Sequence, residues 1–124
     1  MRDGERAKEL RIYMGESDRH GCHSLCQALV LAAKKHGLAG VTVLKGAIGF
    51  GVHRQVHTLD ILRLAQDLPV VVVIVDSPEA IARFIPVVDG MIGEGLVTVH
   101  DVDAIRYTRH DSAKVKGIEG VVGR

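Results

Sequence analysis

The run "PVVVVIVD", Pro69 to Asp76, decides how the rest of the chain is read. Its consecutive β-branched residues predict a strand, and apolar side chains on successive positions, not alternate ones, place that strand centrally in a sheet. A helix is expected immediately after it. Asp76 or Ser77 suits the N-cap, and Pro78 fits the first turn, where no backbone donor is needed. Ile81, Phe84, Ile85, Val88 and Ile92 recur at helical spacing and make its apolar face. Pro86 falls inside this helix and should bend it or cost one backbone bond. Gly93 and Gly95 end it. "LVTVHDVDAIRY", Leu96 to Tyr107, then predicts a last strand with an irregularity near Asp101.

The same alternation of elements precedes the central run. In "LRIYMG", Leu10, Ile12 and Met14 alternate with Arg11 and Tyr13, the period of a half-buried strand. "ESDRHG" interrupts it with turn formers. A helix is expected from about His23 to His36, with Leu25, Ala28, Leu29 and Ala32 as its buried stripe. Lys34, Lys35 and His36 suit its negative end, and Gly37 its cap. "VTVLK", Val41 to Lys45, predicts another strand. Gly46 to Leu68 shows no single clean element, and a connection that long in a compact domain is usually functional or disordered.

The order β-α-β-loop-β-α-β predicts an α+β, ferredoxin-like domain over residues 10–107. Four antiparallel strands would carry two helices on one face. Residues 1–9 are expected as a loose lead-in and residues 108–124 as a mobile tail. If Leu10 and Val43 face the helices, Arg11, Thr42 and Leu44 face away. That mixed open face argues for an oligomer that covers it.

Composition narrows the function classes. The chain has 124 residues, enough for one domain with a real core, and only 3% aromatics, so the core must be aliphatic. With 16 basic against 15 acidic side chains and no basic stripe interleaved with aromatics, a nucleic-acid binder is not expected. No apolar run approaches the ~20 residues of a membrane span, and the polar start does not read as a signal peptide. A cytoplasmic protein with free thiols at Cys22 and Cys26 is the expectation.

Several separate segments, in order, carry a family resemblance. "GLAGVTVLKGAIGFGVH" resembles the second strand and loop base of PII signalling proteins, and "GEGLVTVHDVDAIRYT" resembles their last strand. "LRIYMGESD", "GFG" followed by "HT", and "DLPVVV" resemble more closely a PII-like family catalogued as domain of unknown function 190. The resemblance covers roughly Leu10 to Thr108. It implies a homotrimer that binds AMP, ADP or ATP between subunits and signals through the loop after the second strand. The partner would be an unidentified protein, such as a membrane transporter or an enzyme; the chain itself would be no enzyme.

Carried over by position, the resemblance implies nucleotide binding by Thr42, by Gly46, Gly49, Phe50, Gly51 and His53 at the loop base, by Gly93 and Gly95, and by Arg106. Glycines have a physical reason to be there, since without a Cβ the backbone N–H groups can approach anionic oxygens. The departures matter too. Leu96 stands in place of a lysine and Thr108 in place of a second arginine, although Arg109, Lys45 or Arg54 could substitute. Mono-, di- and triphosphate therefore all stay open.

A second reading rests on His20, Cys22, His23 and Cys26, which offer two imidazoles and two thiols acceptable to zinc. It supposes a helix that puts Cys22 and Cys26 on one face; packing and capping roles are the plainer account. His53 and His57 are also i,i+4, but a glycine-led loop is a poor helix start. No nucleophile–base pair or carboxylate pair points to catalysis.

Overall fold

The structure, a computed structural model, describes residues 4–49 and 67–109. Strand β1 spans Glu5–Gly15, followed by the two-residue strands β2 (Arg19–His20) and β3 (His23–Ser24). Helix α1 is Leu25–Lys35, β4 Thr42–Lys45, β5 Pro69–Asp76, helix α2 Pro78–Met91 and β6 Leu96–Ala104. The main sheet has the order β4-β5-β1-β6, with every neighbouring pair antiparallel. This is the ferredoxin-like arrangement expected from the order of elements, with the "VVVVIV" strand in the interior of the sheet.

Register explains where the core sits. Leu10 lies opposite Ile74, Ile12 opposite Val72 and Met14 opposite Val70, so six aliphatic side chains share one face of the two central strands. Leu25, Leu29 and Ala33 of α1 and Ile81, Phe84 and Val88 of α2 close over that face. The side chains of Arg11, Thr42 and Leu44 belong to the opposite face, as expected, with Val73 between Thr42 and Arg11. The helices pack chiefly on β1 and β5. The outer strands stay open even on the helix side, and Val43 and Val99 are each 40% exposed.

Both helices are punctuated by their sequence. Ser24 caps α1 by accepting a hydrogen bond from Gln27 N, and Ser77 caps α2 by accepting from Ala80 N, each at 3.1 Å. Ser77 holds that role because Asp76 is occupied elsewhere, accepting from Ala39 N at 2.9 Å. At the end of α1, Gly37 N donates to Lys34 O and Leu38 N to Ala33 O, a Schellman closure that needs the positive φ of 76° found at Gly37. Helix α2 runs through Pro86, whose side chain is exposed where water can meet a displaced carbonyl.

Four expectations need correction. Strand β1 begins at Glu5 and not at Leu10, so residues 5–9 are part of the sheet and not a loose lead-in. They pair with the far end of β6, where Lys8 lies opposite Asp101 and forms an ion pair with it at 2.8 Å. This Lys8 bond holds the Asp101 carboxyl below its ordinary range. The register of β6 passes through Asp101 without a bulge and stops at Ala104, short of Tyr107. The α1 stripe is Leu25, Leu29 and Ala33, with Ala28 and Ala32 only half-buried. Finally, α1 starts at Leu25; residues 19–24 form a separate hairpin.

Candidate functional site

Thr42 opens β4 and is exposed beside Val73. Beyond the end of that strand, the Gly46 N–H donates to Pro69 O at 2.7 Å. A Cβ on Gly46 would meet Pro69 Cγ at 2.6 Å, and one on Gly49 would meet the same atom at 3.2 Å. Neither glycine has a positive φ; among the described glycines only Gly21 and Gly37 do. The lack of a side chain at Gly46 therefore lets two backbones close, a role that sequence reasoning did not foresee. Gly46→Ala is expected to lower stability by about 1–3 kcal/mol through overpacking against the proline ring, measured by urea unfolding; a neutral result would show that the ring yields freely.

The other end of the connection is fastened as well. Asp67 Oδ1 accepts from Ser17 N at 3.2 Å and Ser17 Oγ at 3.1 Å, and Glu16 N donates to Leu68 O at 2.8 Å. Asp18 Oδ2 accepts from Gly15 N at 3.0 Å in the same junction. Both ends of the segment after β4 are thus anchored on the Pro69–Gly15 end of the sheet. Ser17 and Asp67 were invisible as a pair in the sequence, being 50 positions apart. Phe50, Gly51, His53 and His57 lie outside the described residues.

Gly93 and Gly95 stand before β6, on the opposite edge of the sheet from β4. A Cβ on Gly95 would come 3.3 Å from Tyr13 O, whereas one on Gly93 meets nothing within 4 Å. Arg106 follows the far end of β6, exposed, and with Asp76, Ser77 and Ala104 it lines a shallow cavity of about 190 Å³. Three strand spacings separate the Gly46 edge from the Gly95 edge, roughly 14 Å, and the strand-like extension of β6 puts Arg106 roughly 30 Å from Gly95. One copy of the chain does not gather these residues.

Lys45, one of the candidate substitute cations, is committed to Glu16 at 2.7 Å, and that bond raises its pKa. Burial pushes the Cys26 thiol up, with Lys45 opposing. Cys22 and Cys26 are free thiols. The four-residue zinc reading loses its premise, because Cys22 and His23 precede the helix and sit in the hairpin. Among the described residues, no three His, Cys, Asp or Glu side chains are placed to hold one metal ion.

Residues 7–104 match the model of the family of domain of unknown function 190, described as "Uncharacterized ACR". The chain belongs to this family. A UPF0166 protein of Methanocaldococcus jannaschii is 37% identical over 97 residues, 77% of this chain and 89% of that one. One from Aquifex aeolicus is 35% identical over 98 residues, 79% of this chain and 92% of that one. Among solved structures, a Thermus thermophilus protein described as PII-like and signalling superposes with a TM-score of 0.58 at 20% identity, over 84% of this chain and 94% of the other. CPII of Thiomonas intermedia, solved with ADP, AMP and acetate, gives 0.54 at 20% identity, over 83% and 92%. The fold of this family member is therefore PII-like. Among the described residues, no helix is long and apolar enough to cross a membrane.

Proposed function

We propose that this chain is a PII-like regulatory protein that binds an adenine nucleotide between subunits of a homotrimer and reports it to a partner protein through the 46–68 connection. The observation that carries this reading is the spread of the candidate residues over opposite edges and ends of one sheet. Thr42 and Gly46 on one edge, Gly93 and Gly95 on the other, and Arg106 at the far end can meet only when copies stand side by side. The PII-like fold supports the same reading, since CPII holds ADP with AMP and acetate or bicarbonate. The missing cations at Leu96 and Thr108, with Lys45 committed to Glu16, favour AMP or ADP over ATP. The role is regulatory, not catalytic.

Calorimetry with AMP, ADP, ATP and adenosine, on protein whose assembly is measured by sedimentation, tests this. One nucleotide per protomer is expected, tighter for ADP than for adenosine. Arg106→Ala should weaken ADP at least tenfold, about 1.4 kcal/mol, through loss of a charge-assisted bond to phosphate. The effect should be smaller for adenosine and should shrink as salt rises. No binding of any of these by an assembled trimer would overturn the proposal.

A further inference from the structure

The hairpin that replaces the expected start of α1 sets two imidazole-bearing residues across one short ribbon. His20 lies directly opposite His23 in the β2–β3 pair. Directly opposed residues hold their Cβ atoms about 4.5–5.5 Å apart on one face of the ribbon. Two imidazoles at that spacing can reach one ion at metal–nitrogen distances of about 2.0–2.1 Å.

The backbone beneath them is fixed by several contacts. Gly21 takes φ of 65° in the two-residue connection, a conformation such a tight hairpin requires of one or both central residues. Arg19 donates to the carbonyl of Cys22, and Leu25 N donates to Asp18 O at 2.9 Å, which locks the ribbon to the first turn of α1. Both histidines are exposed, and neither side chain has a hydrogen-bond or ion-pair partner among the described residues. Nothing must be broken for them to turn to a common ligand.

We propose that His20 and His23 form a two-point chelate for a borderline divalent transition-metal ion of the Zn²⁺ or Ni²⁺ class, presented on the outside of the domain. Imidazole selects such ions, while Mg²⁺ and Ca²⁺ prefer oxygen donors. Two ligands leave the other coordination positions to water. The ligand set is thus two nitrogens, not the two-imidazole, two-thiol set that the sequence spacing suggested, and it does not depend on the nucleotide reading.

The test is titration of the full chain with Ni²⁺ and with Zn²⁺ in competition with a chromophoric chelator. The variants are His20→Ala, His23→Ala, the double variant and Cys22→Ser, each checked for fold by circular dichroism. One ion per chain is expected to depend on both histidines, each single change weakening it at least tenfold, about 1.4 kcal/mol. The double variant should lose that ion, Cys22→Ser should keep it, and excess Mg²⁺ or saturating ADP should not displace it. An unchanged isotherm in the folded double variant would overturn the chelate. Loss of the ion in Cys22→Ser would equally overturn it, in favour of a sulfur site.

Discussion

Phe84→Ala is expected to lower the free energy of unfolding by about 3–5 kcal/mol, the usual cost of truncating a buried aromatic. Phe84 is 1% exposed and the bulkiest of the fully buried side chains. It sits in the middle of α2, over the face where Leu10, Ile12, Val72 and Ile74 meet, and its ring lies 6.1 Å from that of His36 at the end of α1. Because the remaining core is aliphatic, no second aromatic among the described residues fills the space it leaves. One side of the ring backs a surface pocket of about 340 Å³ lined by His36, Leu38 and Val87, so no side chain on that side packs in to replace it. Leu31→Ala is the control. It is the same class of change on α1 at 63% exposure, and should stay within about 0.5 kcal/mol. Urea unfolding at one protomer concentration measures both, since the proposed assembly would add a concentration-dependent term. A Phe84 effect no larger than that of Leu31 would mean that α2 does not close the core.

The contrast between those two positions also shows what could be read in advance. The β5 run, the α2 face and the Ser77–Pro78 start were legible because each rests on local physics: β-branched residues, 3.6-residue spacing, a hydroxyl that meets an orphan N–H. The first half of β1 was not. "ERAKE" pairs with β6, where Lys8 meets Asp101 instead of an apolar neighbour, and Ala7 is its one buried apolar side chain, too little alternation to mark a strand. The hairpin at His20 and His23 escaped because strands of two residues have no period to detect. Gly46 was visible as a glycine, but its reason, the approach of Pro69, depends on a contact between distant parts of the sequence. Of the candidate site, Thr42, Gly46, Gly49, Gly93, Gly95 and Arg106 now have positions, and those positions lie on different edges, which spacing along a chain could not reveal.

That distribution makes the open face of the sheet the most consequential surface of the molecule. Leu44, Val71, Tyr13 and Leu96 form one continuous row across all four strands, on the side away from the helices. Leu44 is 48% exposed and Leu96 52%, yet both are large and apolar. A second copy packed on this face would remove that surface from water and bring unlike edges together. Leu96→Asp and Leu44→Asp are therefore expected to leave each protomer folded, because a half-exposed site can keep a carboxylate hydrated, with a cost within about 0.5 kcal/mol. In the assembly the same carboxylate would be buried without a partner, at a cost of several kcal/mol. The expected result is a folded monomer in sedimentation at micromolar concentration, with native circular dichroism and no measurable ADP binding, while wild type sediments as a trimer and binds. On the proposed intersubunit site the two readouts should fall together, because its candidate residues lie on different edges of one copy. Trimers that persist in both variants would place the interface elsewhere. Monomers that still bind ADP at wild-type affinity would confine the site to one subunit, and the geometry of Gly46, Gly95 and Arg106 would then have no part in it.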